Sequence, residues 1–237
     1  MTMDRRQFLR IGGLLLPAAL LGACDSEGPR SARPLLRSAE RWNERIERRM
    51  QRHTSIDVAS PRADIAGDAF PKYYISDRVP VWDARVRGPW SLEVSGIVRK
   101  PRRFTLDDLT KLPSVTYRLD HYCVEGWTAV ATWTGVRVSE LARVVEVLPD
   151  AHYVDFQSFD DDYHESWDLE SATHPQSLIA YGMDGDFLGP AHGGPARMYS
   201  PVKLGYKNTK YLTRVVFLPR RNGGYWSDQG YEWYAGT

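Results

Sequence analysis

The stretch Leu119-Asp-His-Tyr-Cys-Val-Glu-Gly-Trp127, with Trp133-Thr-Gly135 behind it, decides the reading of this chain. Val115 to Asp120 alternates as a strand that runs into His121-Tyr122-Cys123. On a strand, His121 and Cys123 point to the same side, the minimum for a Cys–His pair. No further protease context accompanies them. The chain has only two cysteines, Cys24 and Cys123, and no Cys-x-x-Cys pair. A disulfide framework and a two-thiolate zinc site are both excluded. Other standard signatures are missing too: no Gly-x-Gly-x-x-Gly, no phosphate-loop lysine, no Gly-x-Ser-x-Gly and no His-Glu-x-x-His. A Cys–His nucleophile therefore stays open at Cys123, and a lone thiol in an oxidising compartment is otherwise buried and inert or occupied by a metal.

Strand patterns lie on both sides of this stretch. Trp90 to Val98, His152 to Phe159, Gln176 to Met183 and Tyr211 to Leu218 read as strands. Thr105 caps a short helix to Lys111, with Asp107 and Asp108 in its first turn, and Ser139 to Leu148 reads as a second helix capped by Ser139. Strands outnumber helices without regular βαβ alternation, so the fold class is α+β, strand-rich and mixed. Residues 66–237 form one domain. Of 237 residues, 42% are hydrophobic and 26% charged, an ordinary globular composition. A net charge of +1 supplies no overall field for nucleic acid.

The charge is nevertheless uneven. Residues 1–53 carry 11 Arg, no Lys and 6 acids, whereas the remainder carries 20 basic and 24 acidic residues. Arg5-Arg6 precede Phe8-Leu9 and a short apolar run from Ile11 to Ala23. Such a run is shorter than the ~20 apolar residues of a membrane span. The order of Arg pair, Phe-Leu and apolar run resembles a twin-arginine (Tat) export signal. Leu21-Gly22-Ala23-Cys24 resembles a lipobox, which makes Cys24 the lipidation site of a lipoprotein and residues 1–23 its signal peptide. Asp25 resembles an inner-membrane retention signal. Residues 24–65 then comprise a tether over 25–37 and an amphipathic helix over Ser38–Gln51, with Trp42, Ile46 and Met50 on one face. That helix is either a surface helix docked on the body or an anchor near anionic headgroups.

The motif blocks carry a family resemblance. Cys-Val-Glu-Gly-Trp127, Trp133-Thr-Gly, Gly-Gly-Pro-Ala-Arg197 and Lys203-Leu-Gly-Tyr-Lys-Asn-Thr-Lys210 resemble the molybdopterin-binding domain of the sulfite oxidase superfamily, nearest its methionine-sulfoxide reductase branch. The resemblance covers roughly residues 66–237. It implies a Mo-molybdopterin cofactor, a single catalytic domain of that fold, and Cys123 as the metal ligand. It also implies cofactor contacts at Ser158, His192, Arg197, Asn208, Thr209 and Lys210. His192 stands where the reductase branch has an amide. Glu125 matches a carboxylate beside the metal and is the candidate proton-handling group. Tyr73 and Tyr74 fall on an upstream cofactor loop that has Asn in the family.

Relatives that oxidise sulfite carry an anion-binding Arg five residues past the ligand Cys; here that residue is Thr128. The chain also ends at Thr237, where those enzymes continue into a dimerisation domain. Tyr163, Trp167, Tyr225, Trp226, Tyr231, Trp233 and Tyr234 supply aromatics for the pocket or its cover. The expected function is thus an exported oxidoreductase at the periplasmic face of the cytoplasmic membrane. It reduces S-oxides such as methionine sulfoxide, small or protein-bound. Its electrons come from a membrane haem or quinone-linked donor. A sulfite-type dehydrogenase feeding a cytochrome and a non-catalytic binding lipoprotein are the alternatives.

Overall fold

A computed structural model describes residues 32–51, 65–160 and 162–237. The Tat-like signal and Cys24 lie outside these residues. The chain divides into two units, 1–46 and 47–237. Helix α1 spans Arg33–Gln51, starting five residues before the expected Ser38. Pro34 sits in its first turn, where proline's missing N–H costs nothing. Among the described residues, no helix is long and apolar enough to cross a membrane.

Within the second unit, ten strands form two five-stranded sheets. One has the order β2 (Arg102–Phe104), β1 (Leu92–Gly96), β10 (Leu212–Leu218), β5 (Tyr153–Ser158), β6 (His164–Asp168). The other runs β3 (Ser114–Tyr122), β4 (Thr128–Arg137), β7 (Leu178–Met183), β8 (Asp186–Phe187), with β9 (Arg197–Tyr199) also on β7. Among the described strands, only β1 and β10 pair in parallel. Helices α2 (Ala84–Arg87), α3 (Leu106–Thr110), α4 (Val138–Val144) and α5 (Leu169–Ala172) are short.

Local signals explain several of these elements. Thr105 caps α3 as expected, and Asp108 returns the bond to make a reciprocal capping box. Helix α4 departs from expectation. Arg137, not Ser139, is its N-cap, and no side chain caps it. Its start is set by burial of Val138 and Leu141 instead.

Strand β7 is buried along its whole length, which explains its unbroken apolar run. Ile179 and Tyr181 join the core cluster that includes Val94, Val154 and Phe217, whereas Leu178 and Ala180 join one around Trp133 and Tyr199. The Trp133-Thr-Gly135 motif serves this packing. Trp133 is fully buried, and the β4–β7 register shifts between Thr134 and Gly135. A Cβ at Gly135 would stand 2.3 Å from Ile179 O, so only glycine allows the two backbones to approach there.

Candidate active site

The β3–β4 hairpin ends in a tight turn that carries the thiol. Cys123 N donates to Trp127 O at 3.0 Å and Gly126 N to Cys123 O at 3.0 Å. Gly126 sits at φ +89°, a conformation that favours glycine. This turn gathers three side chains around one atom, Glu125 Oε2. Trp127 Nε1 donates to it at 2.9 Å, Tyr73 OH at 3.5 Å, and the Cys123 thiol approaches it at 3.8 Å. The Tyr73 ring stacks on Trp127 at 6.1 Å. Burial pushes the Cys123 thiol up; backbone N–H groups of Glu125 and Val124 pull the other way. Those N–H donors favour an anionic sulfur, the form a metal needs.

The loop from Gly193 to Tyr211 faces this turn across a cleft of about 300 Å³. Arg197, on β9, is buried, and its Nη1 and Nη2 donate to His192 O at 3.0 Å and Asn208 O at 3.3 Å. Its guanidinium lies 5.0 Å from the centre of the Trp133 ring. Burial lowers it to about 10, and the acidic groups around it are the phenols of Tyr199, Tyr211 and Tyr163 rather than a carboxylate. Lys210 donates through Nζ to Tyr73 O. Burial and the Arg197 charge bring it down to about 7, with Asp160 acting in the opposite direction. A buried Arg197 and a half-buried Lys210, both with carbonyl partners, make a place for an anion.

The sequence-derived residues divide between this cleft and its foundations. Cys123, Glu125, Ser158, Arg197, Asn208 and Lys210 all line it. The Asn208 amide is engaged within its own loop: Oδ1 accepts from Ser200 N at 2.7 Å and Nδ2 donates to Lys203 O at 3.2 Å. Ser158 Oγ accepts from Asp160 N at 2.9 Å. His192 and Thr209 are not among the lining residues. His192 packs its ring 5.7 Å from that of Phe70, while Thr209 is fully buried. Burial, then Lys210 and Arg197, hold His192 at about 4, so it is neutral near pH 7. Of the aromatics, Tyr163, Trp226 and Tyr231 line the cleft, whereas Trp167 and Trp233 are buried.

Asp160, His121 and Tyr211 complete the wall. The Asp160 carboxylate accepts from Ile75 N at 2.8 Å and Ser76 N at 3.0 Å, which pins the Tyr73–Ser76 loop over the cleft. His121 lies among Phe70, Trp127 and Tyr199, at ring distances of 5.4, 6.0 and 5.9 Å. Burial, then Arg197 and Lys210, lower it to about 3, so it is neutral. No local pattern marked Asp160; its role follows only from contacts 84 and 85 residues away.

Three observations test the site against a phosphate-bearing pterin whose metal takes a thiolate. The hydroxyls of Thr209 and Tyr211 are buried without a hydrogen-bond partner among the described residues. Arg197 is buried and Lys210 half-buried, two basic side chains on one wall. A single cysteine lies at the opposite wall, and no cluster of three or more His, Cys, Asp or Glu side chains suited to a bare metal occurs among the described residues. A group that brings most of its own metal ligands fits this donor set.

Comparison with known proteins agrees. The oxidoreductase molybdopterin binding domain family matches residues 78–226. The putative protein-methionine-sulfoxide reductase subunit YedZ1 of Azospira oryzae is 36% identical over 234 residues, 98% of this chain and 88% of that protein. The protein-methionine-sulfoxide reductase catalytic subunit MsrP of Ralstonia nicotianae is 32% identical over 154 residues, 59% of this chain and 46% of that protein. The crystal structure of the sulfane dehydrogenase SoxCD from Paracoccus pantotrophus shares the fold. Its TM-score is 0.53 at 22% identity, over 56% of this chain and 39% of that one.

Proposed function

Because this chain belongs to the oxidoreductase molybdopterin-binding domain family, we propose that it is an oxygen-atom-transfer reductase of S-oxides such as methionine sulfoxide. The observation that carries this reading is a cleft with Cys123 and Glu125 on one wall, Arg197 and Lys210 on the other, and neutral aromatics at its edge. The two relatives' names describe the same reaction, and Thr128 stands where a sulfite-binding Arg would be needed. A neutral substrate suits that replacement.

The cofactor, when bound, supplies the two-electron oxygen-accepting metal. Cys123 is its protein thiolate ligand. Arg197 would hold the phosphate end, together with Lys210, Asn208 and Ser158. Thr209 and His192 support that end from behind. Glu125 holds and moves a proton beside the sulfur, its Oε2 fixed by the Trp127 N–H. In balance, one S-oxide takes two electrons and two protons; its S–O bond breaks, and a thioether and water leave.

The chain has neither a haem-attachment motif nor a dinucleotide fingerprint. A membrane haem or quinone-linked donor is therefore the proposed electron source. Export by the Tat route and acylation at Cys24 would hold the enzyme at the periplasmic face of the cytoplasmic membrane, next to such a donor.

The test is turnover by the purified, molybdenum-loaded protein with a reduced viologen dye as donor. Methionine sulfoxide should be reduced, and Cys123→Ser should abolish this. Sulfite oxidation faster than any sulfoxide reduction would overturn the direction proposed. Mass spectrometry of the membrane fraction should find diacylglycerol on Cys24; an unmodified Cys24 in soluble protein would overturn the anchor.

A further inference from the structure

After β10 the chain turns back, and residues 223–235 are held at both ends by polar bonds. At the near end Gly223 O accepts from Ser166 N at 3.2 Å and from Ser166 Oγ at 2.5 Å, and Tyr225 N donates to His164 O at 2.8 Å. The Glu165 carboxylate accepts from Trp226 N at 3.0 Å, Ser227 Oγ at 3.0 Å and Lys207 Nζ at 2.5 Å. A Cβ at Gly224 would stand 2.1 Å from Glu165 Oε2, so a side chain there would displace the carboxylate. At the far end Lys203 Nζ donates to Tyr234 O at 2.6 Å, Tyr206 OH to Glu232 O at 2.5 Å, and Leu204 N to Ala235 O at 3.0 Å.

Between these anchorages stand Trp226 and Tyr231. Their ring centroids are 5.1 Å apart, and both line the cleft. Tyr206 extends the surface, 5.4 Å from Tyr231. Tyr231 is 41% exposed, so a molecule entering from solvent meets it early.

The anchor itself is unusual for a surface strap. Glu165 and Lys207 are both 0% exposed. Breaking a buried ion pair is costly, so this one fixes the strap to the element that carries Lys207. Lys207 lies in the same loop as Asn208 and Lys210. One ion pair thereby sets that loop and the aromatic strap in a common register.

We propose that residues 223–235 form the substrate-selecting wall of the cleft, with Trp226 and Tyr231 receiving the apolar arm of an S-oxide. Glu165 and Lys207 are positioning residues that hold this wall on the loop carrying Asn208 and Lys210. The proposal rests on the S-oxide reductase reading and adds the part of the substrate that is recognised. Flat ring faces favour an aryl or extended alkyl arm over a methyl group.

The test compares kcat/KM for methyl phenyl sulfoxide and dimethyl sulfoxide, per bound pterin, so that effects on the chemical step cancel in the ratio. The loaded wild type should prefer the aryl substrate by at least about tenfold, the low end for an apolar group in a fitted pocket. Trp226→Ala and Tyr231→Ala should bring the ratio toward one, and Glu165→Gln should lower it in the same sense. Trp226→Phe and Tyr231→Phe, which keep a ring, should largely restore it. An unchanged ratio in both alanine variants overturns the proposal. Binding of methyl phenyl sulfone, titrated on the loaded protein without turnover, separates this outcome from failure of the reductase reading. Binding that weakens about tenfold in Tyr231→Ala supports the wall even if no sulfoxide is reduced. No sulfone binding to the wild type overturns it.

Discussion

Trp127 and Glu125 share a hydrogen bond, Nε1 to Oε2 at 2.9 Å, that sets the carboxylate beside the Cys123 thiol. The turn N–H bond from Cys123 to Trp127 O closes the same loop at 3.0 Å, so indole and thiol move as one unit. A carboxylate that handles protons needs such a fixed position.

Trp127→Phe keeps the ring but removes the N–H donor. A hydrogen bond to a charged group contributes about 1.5–3 kcal/mol, so freeing Glu125 should lower turnover by roughly tenfold or more. Steady-state kinetics should show the lower rate for Trp127→Phe at unchanged pterin content. An unaltered rate would remove this bond from the reaction.

Arg197→Met should cost the protein its cofactor. The charge-assisted phosphate contact proposed for Arg197 cannot be replaced by an apolar chain, and even Arg197→Lys loses the fork. Pterin fluorescence after denaturation should fall to below about a tenth of wild type in Arg197→Met, a loss of the order expected from one strong ionic contact. Retention of full pterin would show that the phosphate lies elsewhere.

Removing one member of the Glu165–Lys207 pair leaves the other charge buried and unpaired. Lys207→Met should destabilise by about 3–5 kcal/mol in chemical denaturation. The double variant Glu165→Met, Lys207→Met should recover a large part of that loss, because the orphan charge is gone. A double variant as unstable as the sum of the singles would contradict the pairing.

His164 Nδ1 lies 2.9 Å from Asp155 Oδ1. The hydrogen bond to Asp155 raises His164 above its usual 6.5, with Asp155, Glu165 and Asp228 adding charge and burial opposing. Burial alone would raise Asp155; bonds from His164, Gln157 and Asn222 outweigh it and hold it low. The His164 contribution is therefore fully present below pH 6.5 and is lost as pH rises through its folded value. The Asp155 contribution is present above pH 3.8 and is lost as pH falls through its own. The stability gap between wild type and His164→Gln should be widest in mild acid and shrink toward pH 8. Thermal unfolding across that range checks the sign, and a gap that grows with pH would refute it.

Local chemistry was legible where neighbours in sequence act together. Thr105 at the start of α3, with Asp107 and Asp108 in its first turn, is such a case, and Arg197 and Lys210 were placed by family resemblance; the Cys123–Trp127 turn with Gly126 emerged only in the structure. Strand β4 was harder to read. It is largely buried, and its register shifts against β7 at Gly135, so no single alternation runs through it. Helix α4 was misplaced at its start because packing of Val138, not a capping hydroxyl, begins it.

The sequence by itself determined the class of cofactor chemistry through a family resemblance carried by short blocks: Cys123 to Trp127, Trp133 to Gly135, and the stretches ending at Arg197 and Lys210. These depend on residue identity at short spacing. Only the tertiary structure decided which groups meet across the cleft. Asp160 holds a loop 84 and 85 residues away, Tyr73 reaches Glu125 across 52, and Glu165 holds Lys207 and the aromatic strap across 42 to 62. Such meetings are set by how two sheets pack and by where buried charges find partners. Neither leaves a period or a motif in the chain.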